Sequence, residues 1–194
     1  MTKYSQAGQD KFVLSFFDKD YAGFFVDVGC WMPDEINNTL KLEEQGWNGI
    51  SLDITDMANE WKSRKTFFIR ENALTCDYKK LFETHSVPNV ADYLSLDIEG
   101  NGERYQALVK IFESKHEFKI ITIEHDSYRG FELTERARQR EFLSKNGYVL
   151  VCSNVVLSGN PFEDWWINPK YIKEDKYLGL ISEGLPYQEI LNKL

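Results

Sequence analysis

The sequence predicts an α/β fold, a doubly wound sheet with a closing antiparallel strand or hairpin. Three observations carry this. Short apolar, β-rich runs recur along the chain with helix-like segments between them, the pattern of a sheet covered by helices. The first run, Phe24 to Val28, passes through Asp27 into Gly29, and the second, Gly49-Ile50-Ser51-Leu52-Asp53, also ends in an acid. Near the C-terminus, two further runs flank Ser158-Gly159-Asn160-Pro161, a turn suited to a final hairpin.

Taken in order, the elements fall into one domain. An N-terminal lid or helix occupies 1–22, a core 23–168 and a tail 169–194. Apolar residues at 12, 13, 16 and 17 fit a short helix with one buried face, and Ser5 is placed to cap it. The first strand is 24–28. Asp34 can cap a helix over 35–45 that stops at Gly46. Asn37, Asn38 and Thr39 are unusual helix starters, because their side chains compete for backbone bonds; they either face a ligand loop or serve as caps. Trp47 reads as a core aromatic before the second strand, 48–53. A helix over 56–64, a third strand over 66–70 and a short helix over 77–84 follow, with a turn at Pro88-Asn89.

The fourth strand is expected over 92–97. It runs into Asp97-Ile98-Glu99-Gly100, where alternation points both carboxylates the same way, into the crevice. The next helix puts Tyr105, Leu108, Val109 and Phe112 on one face. The fifth strand, 118–124, ends in Glu124-His125-Asp126. A helix over 133–146, closed by Gly147, carries mixed charge, so Arg136, Arg138 and Arg140 read as surface residues. Tyr148 to Cys152 is a sixth strand, and 154–157 and 164–167 pair as the hairpin. The tail, with Pro186, packs on the domain or on a partner.

Composition narrows the function. At 194 residues the chain is long enough for a real core. Its 42% hydrophobic and 28% charged content is that of an ordinary globular protein. A net charge of −8 argues against nucleic acid as a default partner, since nothing offsets repulsion from a phosphate backbone. Cys30, Cys76 and Cys152 show neither zinc spacing nor a disulfide framework, and suggest reduced thiols in a cytoplasmic setting. The first residues lack the apolar stretch of a signal peptide, and no run approaches the length of a membrane span. No oligomeric state is implied.

The strand ends carry the ligand chemistry. An open α/β sheet binds its ligand at the carboxyl ends of its strands. Gly29 lets backbone approach the ligand, Asp27 puts a carboxylate at the strand's edge, and Asp53 lies roughly 20 residues on, where an acid meets ribose hydroxyls. The plainer alternative is a strand that merely ends in a turn. A G-x-G-x-x-G fingerprint is absent, because Cys30, Trp31, Met32 and Pro33 follow Gly29. One glycine with two acids suits an adenosyl ligand smaller than a dinucleotide.

Six stretches occur in an order that resembles the FkbM family of S-adenosylmethionine-dependent methyltransferases. They are Tyr4 to Asp10, Phe25 to Gly29, Asn38-Thr39-Leu40, Glu43 to Ile50, Asp92 to Gly100 and Ile121 to Glu124. Many such enzymes carry a second glycine in the first loop; this chain has Pro33-Asp34 there. The resemblance implies a Rossmann-like class I methyltransferase sheet, with Gln6 in a segment over the cofactor. In such a fold the loop after the third strand passes the adenine, making Asn72, with Ala73, a candidate for the ring edge. Ile54 and Asp97 complete the cofactor-binding set with Asp27, Gly29 and Asp53.

Methyl transfer to oxygen needs an aligned acceptor and a proton sink. His125, Asp97 and Glu99 are the catalytic candidates. Two mechanisms stay open: His125 or an acid as general base, or Mg²⁺ held by Asp97 and Asp126, as related sugar and catechol O-methyltransferases use a metal at similar places. The acid cluster could instead form an ion-pair network with Arg129, and Asp97 could face the methionine amino group. The resemblance implies a hydroxyl acceptor on a sugar, glycan or glycosylated natural product, with Trp165 and Trp166 as possible stacking partners. The rivals are a non-catalytic adenosyl-binding or scaffold module, whose site the Pro33 loop has closed, and a nucleic-acid or cap methyltransferase.

Overall fold

The computed structural model describes residues 3–100, 102–130 and 133–194; Met1 and Thr2 of the expected N-terminal lid lie outside the described residues. The strands are β1 (Phe24–Val28), β2 (Asn48–Asp53), β3 (Phe67–Arg70), β4 (Val90–Leu96), β5 (Glu117–Glu124), β6 (Val149–Leu157), β7 (Asn160–Ile167) and the short β8 (Ser182–Glu183). They form one sheet in the order β3-β2-β1-β4-β5-β7-β6-β8. β3, β2, β1, β4 and β5 are mutually parallel, and β7 runs antiparallel to both β5 and β6. The order reverses between β1 and β4, and such a reversal opens a crevice beyond the strand carboxyl ends.

Alternation sends successive residues to opposite faces, and two cores result. On one face Val26, Val28, Leu94, Leu96 and Ile121 pack with Phe82 of α3 (Tyr78–Thr84), Leu108 and Ile111 of α4 (Glu103–Glu113), and Leu143 of α5 (Leu133–Lys145). On the other face Phe25, Tyr93, Ile120 and Trp165 meet Phe12 and Val13, and Trp47 joins them as the expected core aromatic. The tail packs on this second face through Ile172, Tyr177, Leu180 and Ile190.

Several boundaries differ from the sequence expectation. The first helix, α1, is only Gln9–Leu14 and is preceded by Gly8 in the left-handed conformation; Ser5 bonds Asp10 and does not cap it. The second, α2, is Leu40–Glu44. Its N-cap is Thr39, and Asn37, not Asp34, serves its first amides, accepting from the N–H groups of Thr39 and Leu40 at 3.0 and 2.9 Å. A 3₁₀ turn at Glu60–Ser63 stands where a helix over 56–64 was expected. α4 buries Arg104, Ala107, Leu108 and Ile111, a stripe rotated from the expected face. β6 runs unbroken through residue 157, so the hairpin is β6–β7 with Ser158 and Gly159, both left-handed, at its tip. Trp165 and Trp166 are fully buried and cannot stack on a sugar; Trp165 lies 4.5 Å from the Phe12 ring, centroid to centroid.

Gly29 earns its place from the fold before any ligand. Its N–H bonds the Leu52 carbonyl at 2.8 Å, its φ is +86°, and an added Cβ would lie 1.8 Å from the Asp97 carbonyl oxygen. The close approach comes from the neighbouring strand end, and it brings β1, β2 and β4 together where the crevice opens. Gly29→Ala is therefore expected to cost more than about 2 kcal/mol, seen as a lowered urea midpoint at unchanged slope.

Candidate active site

A cleft of about 900 Å³ opens at this end of the sheet, large enough for an adenosyl ligand with room beside it. The segments after β1, β2, β3, β4 and β5 line it, together with the β6–β7 hairpin tip and Gln6 from the N-terminal segment.

One wall is the loop after β1, and side chains hold it carbonyl by carbonyl. Asn37 Nδ2 donates to the carbonyls of Cys30 and Met32 at 3.2 and 3.0 Å. Trp61 Nε1 donates to that of Trp31 at 2.8 Å, and Arg64 Nη1 to that of Pro33 at 2.8 Å. Arg64 also bonds Asn37 Oδ1, pairs with Glu43 at 3.0 Å and lies 4.7 Å over the Trp61 ring. Burial works to raise the Glu43 pKa, but bonds from Thr66 and Lys65 and the Arg64 charge bring it below its ordinary value. Four consecutive carbonyls thus find partners that the loop's own backbone could not supply. Pro33 is part of this lattice, and Gly29, Trp31 and Ile36 still face the open cleft.

The predicted cofactor residues divide. Gln6, Gly29, Asp53, Ile54, Asn72, Ala73 and Asp97 all line the cleft. Asp53 Oδ2 accepts from Trp31 N–H at 3.0 Å and Oδ1 from Thr55 N–H at 2.8 Å, which fixes the carboxylate while leaving lone pairs for hydroxyl donors. Asn72 Oδ1 accepts from Leu74 N–H at 2.8 Å and shapes the turn after β3. Asp27 is a correction. It is buried on the α1 face of β1 and bonded to Thr39 Oγ1 at 3.0 Å, away from the cleft wall. Burial pushes its pKa up to about 6 despite bonds from Thr39 and Ser95.

The other half of the cleft is acidic. β4 ends at Leu96, so Asp97 and Glu99 escape strand alternation and do not point together. Asp97 turns inward to hydrogen-bond Glu124, whereas the Glu99 side chain is 84% exposed and reaches Arg129 at 3.4 Å. Burial, then the Asp97 charge, raises the Glu124 pKa to about 10; burial likewise raises that of Asp97 to about 6. Burial and mutual repulsion thus both disfavour charge on this pair. Behind them, fully buried Arg104 donates to Glu124 at 2.6 Å, to Asp126 at 3.2 Å and to the Gly100 carbonyl at 3.1 Å.

His125 does not reach the cleft. It is fully buried; Nδ1 accepts from Ser127 N–H at 3.1 Å and Nε2 lies 3.4 Å from Asp164. Arg140 grips the same Asp164 through two bonds of 2.7 and 2.8 Å, and Arg136 donates to Asn154 at 2.6 Å. These two arginines face inward and do not form a surface patch. The ring is therefore placed as a strut in a buried network and not as a base. Asp126 is equally committed, because its Oδ2 accepts from Arg104 and from Arg129, each at 3.2 Å. The residues thus do not fit the Mg²⁺ pair Asp97–Asp126, and among the described residues no group of three or more His, Cys, Asp or Glu is arranged to hold a metal.

Sequence reasoning missed Trp31, Arg64, Arg104 and Glu163. Arg104 left a signal, since positions 104, 107, 108 and 111 keep helical spacing and an arginine in such a stripe must bury its charge against acids. Glu163 is buried in β7, bonded to Trp165 Nε1 and Gln9, and burial raises its pKa to about 8.

No family model matches the chain, and no curated protein matches its sequence. Solved structures match its fold. A putative rRNA-methylase from Clostridium thermocellum has a TM-score of 0.57 at 17% identity, over 86% of this chain and 99% of that one. The METTL16 MTase domain has 0.57 at 14%, over 80% and 64%. A putative S-adenosylmethionine dependent methyltransferase from Listeria monocytogenes has 0.53 at 12%, over 84% and 98%. At these identities the likeness establishes a Rossmann-like methyltransferase fold.

Two outcomes are expected here. Arg64→Met strips the loop of its donor and leaves Glu43 without its ion-pair partner, costing about 3–5 kcal/mol, measurable by chemical denaturation. Glu163 has a folded pKa above its ordinary 4.5, so the native state keeps a proton that the unfolded state releases. Its contribution is full below about pH 4.5 and is lost as pH rises through about 8. Melting curves between about pH 5 and pH 8 should show wild type losing stability with rising pH and Glu163→Gln losing less.

Proposed function

We infer that the chain is an S-adenosylmethionine-dependent methyltransferase acting on a hydroxyl of a sugar, glycan or glycosylated natural product. One observation carries the reading. A single cleft joins a fixed carboxylate suited to ribose hydroxyls, Asp53, to a hydrogen-bonded carboxyl pair, Asp97–Glu124. The Rossmann-like methyltransferase fold and a motif order that resembles the FkbM family support it as well.

S-adenosylmethionine, when bound, supplies an electrophilic methyl group on a sulfonium. Asp53 would take the ribose hydroxyls, Ile54 and Ala73 would flank the adenine, and the backbone at Gly29 would let the ligand approach. Asp97 lines the cleft with a pKa near the working range of a general base, raised first by burial. The acceptor oxygen would take the methyl as its bond to the sulfonium breaks and leaves a neutral thioether, and the hydroxyl proton would pass to the Asp97 carboxylate, next to Glu124.

Among the described residues the cleft is lined by seven acids, Asp53, Glu71, Asp97, Glu99, Glu103, Glu124 and Asp126, against one arginine, Arg129. Such a wall favours a cationic donor and a neutral polyol and repels a phosphate backbone. The rRNA methylases among the structural neighbours motivate an RNA acceptor as a second reading, which the acidic lining weighs against.

Calorimetric titration with S-adenosylhomocysteine is expected to give micromolar binding; no binding would overturn the reading. Asp53→Ala should weaken that binding about 5- to 150-fold, the equivalent of about 1–3 kcal/mol. With an acceptor found from a sugar panel, Asp97→Asn should cut turnover by about 10²–10⁴ while sparing S-adenosylhomocysteine affinity. Salt-sensitive RNA binding in place of sugar methylation would favour the second reading.

A further inference from the structure

Five tryptophans occur in the chain. Trp47, Trp61, Trp165 and Trp166 are buried, and Trp31 alone is half-exposed, at 49%. It stands in the cleft wall. An exposed apolar side chain is common on any surface, but this one faces the cleft, where half of its indole is open to a ligand.

The backbone at Trp31 points the same way. Its φ of +47° lies in the left-handed region, which a bulky side chain adopts only against its steric preference. Both of its backbone groups are tethered. The N–H donates to Asp53 Oδ2, and the carbonyl accepts from Trp61 Nε1. Asn37 and Arg64 secure the carbonyls on either side. Four side chains, Asp53, Trp61, Asn37 and Arg64, thus hold the turn around one strained residue whose ring stands at the cleft.

We propose that Trp31 is a donor-binding residue whose ring forms a wall for the adenosyl group of S-adenosylmethionine. The inference rests on the methyltransferase reading. It commits to the adenosyl half because the Trp31 N–H is bonded to the carboxylate assigned to the ribose, which ties the indole to the nucleoside end of the cleft. An aromatic face is a natural partner for a base or for the edge of a ribose. The same bond makes Trp31 a positioning residue for Asp53, so ring and carboxylate move together.

The test compares wild type with Trp31→Gly and Trp31→Phe. Glycine adopts positive φ without penalty, so Trp31→Gly keeps the turn and the backbone bonds while removing the ring. Its melting temperature should equal or exceed that of wild type, which separates lost binding from lost fold. Calorimetry with S-adenosylhomocysteine should show affinity reduced about tenfold or more in Trp31→Gly and largely restored in Trp31→Phe. Because Trp31 is the one exposed tryptophan, ligand should change the fluorescence of wild type and leave that of Trp31→Gly almost unchanged. Wild-type binding with equal affinity in Trp31→Gly would overturn this inference alone. No binding by wild type would overturn the methyltransferase reading, and this inference with it.

Discussion

The site depends on how the loop after β1 satisfies its backbone. The carbonyls of Cys30, Trp31, Met32 and Pro33 point to no strand or helix partner, and Asn37, Trp61 and Arg64 answer them one by one. Two of those three residues lie some thirty positions downstream, in and beside the 3₁₀ turn before β3. Arg64 is itself a buried charge, and Glu43 on α2 neutralises it. Charge pairing between α2 and the 3₁₀ turn thereby becomes the geometry of the loop. A preformed loop spares a ligand the entropy of ordering it, which is where much of a small site's affinity originates.

On the opposite side of the cleft the chain gathers more buried acid than a fold needs. Asp97, Glu124, Asp126 and Glu163 cluster at the ends of β4, β5 and β7, with Arg104 as the buried cation among them. Burial raises the pKa of three of these four acids. Carboxyls whose pKa burial raises sacrifice stability, and such departures concentrate where chemistry is done. The Arg104 guanidinium limits the sacrifice by tying Glu124, Asp126 and the Gly100 carbonyl into one unit.

The sheet was legible in the sequence because every central strand is an apolar run ending near an acid or glycine. Asp53, Ile54, Asn72 and Ala73 could be placed at the cleft for the same reason, since they follow strand ends directly. Asp27 could not, although the parity of β1 held the answer: it shares a face with Phe25, and that face is packed against α1. Glu99 lines the cleft but does not point with Asp97, as alternation stopped at Leu96. His125 failed because adjacency to a strand end does not say whether a side chain turns to the cleft or into the hairpin. Trp31 and Arg64 were illegible because their roles depend on contacts made across thirty residues of sequence.

The strand order also has a kinetic side. The β6–β7 hairpin closes over a two-residue tip, whereas β1 finds β4 only across more than sixty residues of intervening chain. Loop closure makes such distant parallel pairing slow, and local hairpins form first. The crevice lies between the two strands whose pairing spans the longest stretch of chain, so the cleft rests on the sheet's least local contact. A chain emerging from synthesis would carry a formed hairpin only after most of the sheet was exposed, and until then its apolar parallel strands would stand as open edges.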